Sequence, residues 1–66
     1  MKIGAQLDIF AFFGDDVQEL GTGIVTENIS NTAVRCDPVD ELDPLMPDHE
    51  FTARYDQDFG EWFTHF

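Results

Sequence analysis

Apart from its carboxylates, this sequence has few side chains that could do chemistry. Cys36, His49 and His65 are the soft metal ligands, and their separations match no zinc-binding spacing. The stretch Asp56-Gln57-Asp58-Phe59-Gly60-Glu61 has some of the acid spacing of a calcium loop. A twelve-residue loop begun at Asp56 would need its bidentate glutamate one place past Phe66, and its glycine falls one place early. Loose divalent-cation binding by clustered carboxylates is the better reading, so neither a specific metal site nor a cofactor is expected. Ser30 with His49 or His65 has the ingredients of a nucleophile and base but no nucleophile-elbow context. Gly21-Thr22-Gly23 reads as a turn rather than a phosphate loop. Carboxylate pairs are abundant, yet none is set apart by an apolar pocket that would separate two pKa values. Cys36 fits a buried small hydrophobe. The expectation is a protein that is not an enzyme.

The carboxylates carry the signal. Fourteen acids face three bases, Lys2, Arg35 and Arg54, for a net charge of −11 on 66 residues. A nucleic-acid binder shows a basic patch, and an anionic membrane surface also selects for bases. Direct binding to either is therefore excluded. Four Leu, four Ile, four Val and seven Phe supply enough apolar material for a folded core. One cysteine allows no internal disulfide, and no run reaches the roughly 20 apolar residues of a membrane helix. These features fit a single cytoplasmic domain over residues 1–66.

Positioning the acids requires elements, and the pattern predicts an α+β domain, a small antiparallel sheet with two or three short helices. Ile3, Ala5, Leu7, Ile9, Ala11 and Phe13 alternate as a strand. Asp15 would cap a short helix through Leu20, and residues 22–36 read as a hairpin turning over Glu27–Asn31. Asp37-Pro38 resembles a helix start, and Phe51, Ala53 and Tyr55 a short strand. Phe59, Trp62, Phe63 and Phe66 fall at helical spacing behind an Asp58/Glu61 capping box. The expected core is Leu7, Ile9, Phe13, Val25, Val34, Phe51, Phe59, Trp62 and Phe63, with Trp62 and Tyr55 the aromatics that could serve an interface instead.

Helix starts account for where several acids sit but not for the scarcity of lysine. Mimicry of nucleic acid would explain both, because carboxylates would stand in for phosphates and bases would spoil the field. B-DNA carries about one charge per 100 Å² of its cylinder, so mimicry needs the acids gathered on one side. Asp56 and Asp58 in a strand, or Asp40 and Asp43 in one helical turn, would be spaced like neighbouring phosphates. Nine of the fourteen acids lie in the second half. They are Asp37, Asp40, Glu41, Asp43, Asp48, Glu50, Asp56, Asp58 and Glu61, the expected contact residues for a basic partner. Two alternatives explain the same charge. One is halophilic adaptation, with acids spread evenly. The other is a generic acidic interaction module, such as the neutraliser of a basic toxin.

In size, charge and lack of catalytic motifs, the whole chain resembles the small acidic anti-CRISPR proteins of phages and mobile elements, some of which are DNA mimics. It looks most like inhibitors of type I systems, type I-C in particular. The resemblance lies in overall character, so no family residue carries over by position. It implies an inhibitor acting in the host cytoplasm on a basic nucleic-acid-binding protein. That partner would be the large subunit of the type I surveillance complex (Cascade), which reads the PAM duplex. The self-repulsion of two such chains favours a monomer.

Overall fold

The computed structural model describes residues 1–65. Its strands are β1 (Gln6–Phe13), β2 (Asp16–Ser30), β3 (Ala33–Glu41), β4 (Phe51–Asp56) and β5 (Glu61–Phe63). No helix occurs among the described residues, so the expected α+β domain is corrected to an all-β one. The strands run as a meander, each antiparallel to the next, and close into a barrel. With five strands the first and last point the same way, so the closing β1–β5 pair is parallel, Ile9 opposite Trp62 and Phe10 opposite Phe63.

Each expected helix fails for a local reason. Gly14, at φ +62°, and Asp15 form a two-residue loop between β1 and β2. Glycine at positive φ followed by a residue at ordinary φ is the II′ hairpin turn, whose twist matches its strands. Asp15 is thus a turn residue rather than a cap, and residues 16–20 continue as strand. At Asp37-Pro38 the chain stays extended. Pro38 lies next to a bulge in the β2–β3 ladder, where β3 has already run past β4, and a missing N–H is tolerated there. Near the C-terminus, Asp56 Oδ1 accepts hydrogen bonds from the Asp58 and Phe59 amides at 2.9 and 3.2 Å. Gly60, at φ +69°, donates its amide to Asp56 O at 2.8 Å. This single turn ends at Gly60, as left-handed glycines end helices. No Asp58/Glu61 capping box forms, and residues 61–63 pair as β5. Phe66, the last position of the expected stripe, lies outside the described residues.

The apolar alternation of β1 survives: Leu7, Ile9, Ala11 and Phe13 face the barrel interior. There they meet Leu20, Val25, Val34, Cys36, Phe51 and Ala53, with Met46 folded in from the β3–β4 connection and Trp62 packed alongside. Phe59 is corrected from core to surface, at 54% exposure. Phe63 is buried on the outer side instead, stacked on Phe12 at 4.2 Å between centroids and flanked by Phe10 and Phe59.

β2 serves β1 and β3 along its length, and its course depends on irregularities at Ile9/Phe10 and Thr22/Gly23. Gly21 lies between them. A Cβ there would stand 2.1 Å from the Asp40 carbonyl oxygen and 3.1 Å from its carbon. Gly21→Ala is therefore expected to cost about 3 kcal/mol or more, while Gly14→Ala, with open space around it, costs only the left-handed penalty of about 1–2 kcal/mol. Denaturant unfolding checks the ranking, and far-UV circular dichroism of the parent should show strand without a helical double minimum.

Candidate functional site: an acidic face on β1, β2 and β3

The register brings together acids far apart in sequence. Asp8 and Asp40 both pair with Thr22, one from each side. The three residues form a row across the outside of β1, β2 and β3, with the carboxylate-bearing strands about 10 Å apart at two strand spacings. Asp37 pairs with Ile24, two residues along β2 from Thr22, which puts it about 6.7 Å from the Asp40 row. Glu19 pairs with Phe10 on the other side of Asp8. No base occurs in this set. Thr22 Oγ1 is buried without a hydrogen-bond partner, between the two flanking carboxylate positions.

Beyond the end of β3 the acids continue. Leu42 and Asp43 donate their amides to Leu20 O at 2.9 and 3.0 Å, and Gln18 hydrogen-bonds to the Asp43 carboxylate. These contacts tie the β3–β4 connection to the β1–β2 hairpin, whose tip carries Asp15 and Asp16. Asp40, Glu41 and Asp48 line a groove of about 650 Å³ whose apolar wall includes Pro38, Pro44 and Pro47. Its chemistry suits lysine and arginine side chains, whose stems lie along apolar surface while the charged head meets carboxylates.

The nine expected contact residues therefore separate. Asp37, Asp40, Glu41, Asp43 and Asp48 belong to this side. Glu50 is committed elsewhere, accepting from Arg35 at 2.7 Å and from Thr26 at 3.1 Å. Asp56 and Asp58 sit at the β4–β5 turn, at the end of the barrel opposite the β1–β2 hairpin, whereas Glu61 comes level with Asp8, because the next residues, Trp62 and Ile9, pair in the parallel β1–β5 seam. Asp56 holds the β4–β5 turn together. The helical spacing expected for Asp40 and Asp43 is replaced by a strand and the loop after it, and Asp56 and Asp58 do not share a strand. Asp8, Asp15, Asp16 and Glu19 were not among the expected contact residues, and the register places Asp8 and Glu19 beside Thr22 and Phe10 on this side. The signal that could have found Asp15 and Asp16 was Gly14-Asp15, a hairpin dipeptide between two β-rich arms.

Of the three bases, Arg35 lies on the outer side of β3, two residues from Asp37, and is paired with Glu50. Both partners in that bridge are substantially exposed, so it contributes little to stability. Lys2 lies near the Ser30 end of β2, where Asn28 donates to Met1 O at 2.7 Å. Arg54 lies on β4 opposite Ala33 and Phe63.

Hydrogen bonding to Arg35, then to Thr26, lowers the Glu50 pKa. The Asp48 carboxyl is lowered first by its hydrogen bond with His49, at 2.8 Å. Burial, with a smaller contribution from Asp37, pushes the Cys36 thiol up to about 11, so it is protonated at neutral pH and inert as a nucleophile. Among the described residues, no group of three or more His, Cys, Asp or Glu is placed to hold a metal ion. No known protein family, curated protein or solved structure matches the chain.

The lowered Glu50 pKa makes a signed prediction. A carboxylate depressed on folding contributes stability above its unfolded pKa and loses that contribution as pH falls through the native value. The stability difference between the parent and Glu50→Gln should therefore shrink between about pH 7 and about pH 3. Denaturant midpoints measured across that range check it, and a pH-independent difference would contradict it.

Proposed function

We propose that this protein is a non-enzymatic inhibitor that occupies a basic, nucleic-acid-binding surface of a partner by presenting carboxylates where phosphates would lie. The observation that carries this reading is the set of Asp8, Glu19, Asp37 and Asp40 across β1, β2 and β3, whose neighbouring base on β3, Arg35, is paired with Glu50. It is extended by Glu41, Asp43 and Asp48 beyond the end of β3. Spread over the whole 4216 Å² surface, the net charge amounts to about one per 380 Å², too sparse to imitate a duplex at about one per 100 Å². Local rows at about 6.7 and 10 Å raise that density where contact would occur. Halophilic adaptation needs no such rows, whereas a mimic gains from a contact face whose neighbouring base is already paired.

In keeping with the resemblance to small acidic anti-CRISPR proteins, the partner proposed is the type I surveillance complex. The surface blocked is the basic one where its large subunit reads the PAM duplex, and the site of action is the host cytoplasm. Carboxylates of the inhibitor would pair with arginines and lysines that otherwise neutralise phosphate, and the long-range field would speed encounter. The groove between Pro38 and Asp48 would receive one of those side chains. The neutraliser of a basic toxin would use the same chemistry on a surface that does not bind nucleic acid.

Charge reversal separates the two ends of the barrel. Asp8→Lys with Asp40→Lys should weaken inhibition of target-DNA binding by at least about 100-fold, from two lost attractions and two new repulsions. Asp58→Lys, in the β4–β5 turn, should change it by less than about tenfold. A DNA-binding competition assay with the purified complex reads both, and the opposite ranking would place the contact surface at the other end.

A further inference from the structure

A second groove, of about 510 Å³, shares Leu45 and Pro47 with the first but has the opposite chemistry. It is lined also by Phe51, His49, Arg54 and His65, with Thr52 and Thr64 contributing hydroxyls, and no carboxylate lines it. In a chain with fourteen acids and three bases, this one concavity gathers both histidines and an arginine. Arg54 makes no hydrogen bond or ion pair with any described residue, whereas Arg35 is paired with Glu50. His49 is already engaged by Asp48, which leaves the Arg54 guanidinium, His65 and the threonine hydroxyls as donors. Phe51 is buried beneath them, and Leu45 and Pro47 supply further apolar wall.

We propose that this groove binds a small organic anion, a carboxylate or phosphate monoester joined to an apolar or aromatic body. Arg54 contacts the anionic group, and Leu45 and Pro47 receive the body above the buried Phe51. A planar guanidinium makes paired, charge-assisted hydrogen bonds to either kind of anion. The volume falls within the roughly 300–1,000 Å³ of small-molecule sites, which are mostly apolar with a few placed polar groups. The overall charge of −11 repels free anions, so one held here is held by local contacts. The inference stands apart from the acidic face, because none of the carboxylates of that face lines the groove.

The test is a titration of the isotope-labelled full chain by amide NMR, with benzoate, phenyl phosphate, inorganic phosphate and neutral benzamide as probes. Benzoate or phenyl phosphate should give saturable shifts centred on His49, Phe51, Thr52, Arg54, Thr64 and His65, and the tighter of the two identifies the anion. Benzamide should bind at least about tenfold more weakly, as should the best anion to Arg54→Gln, each for the loss of a charge-assisted contact. Arg54 is exposed, so that variant should keep the parent spectrum elsewhere, and His65→Asn provides a second variant with weakened binding. The proposal is overturned by the absence of saturable shifts with either organic anion, or by benzamide matching them. Unchanged affinity in Arg54→Gln, or inorganic phosphate binding as tightly as phenyl phosphate, would overturn it equally.

Discussion

The barrel closes only because β2 can pass from β1 to β3 with its backbone hard against the neighbouring strand at Gly21. The Asp40 carbonyl occupies the space a side chain would need there. Irregularities on either side, at Ile9/Phe10 and Thr22/Gly23, set the register of both ladders. Bulges of this kind add twist and bend the strand that carries them. The same close approach positions the site. Because β2 and β3 are locked at Gly21 and Thr22, Asp40 comes level with Asp8, and the carboxylates of two strands that do not pair with each other fall into one row.

Charge and core make opposing demands in so small a molecule. The interior is a single cluster around Ile9, Leu20, Val25, Val34 and Phe51, and the free cysteine offers no covalent reinforcement. Self-repulsion of the surface works against the compact state. A closed sheet offsets part of this by giving every strand a neighbour on both sides. The aromatic layer outside β1 and β5 also adds apolar burial where the short final strand would otherwise be weakly held. Phe63 lies within that layer, covered by Phe12 and Phe59, and both of those rings remain partly open to solvent. The fold thus uses two apolar layers, one inside the barrel and one outside its closing seam.

Much of the strand content was legible in the residues. Odd-numbered apolar positions from Leu7 to Phe13 gave the correct inward face, and the β-rich arms around Val25 and Val34 gave the central hairpin, although its turn is Asn31-Thr32 and the expected turn over Glu27–Asn31 is mostly strand. The helices came from reading local patterns one at a time. Asp-Pro suggests a helix start in isolation, but a proline beside a bulge is also at ease in a strand, and only pairing with β2 decides between them. The stripe from Phe59 onward has helical spacing, yet Gly60 adopts a left-handed conformation that ends the turn. The acids were legible as a type and not as a surface. Asp8 and Asp40 meet through a shared partner whose register depends on four irregularities, one in the β1–β2 ladder and three in the β2–β3 ladder, and no spacing rule along the chain encodes that. The carboxylates of Asp56 and Glu50 serve a turn and an ion pair, contacts visible only once β4 has neighbours.

The account centres on a carboxylate face that competes with nucleic acid for a basic partner. The most direct measurement is affinity capture on the immobilised protein from nuclease-treated lysate containing a type I surveillance complex, followed by elution with rising salt and by elution with target DNA. The account predicts recovery of one nucleic-acid-binding assembly, released by salt and displaced by its own target duplex. A folded, monomeric protein at ordinary salt that retains no such assembly, or retains one that DNA cannot displace, would contradict it.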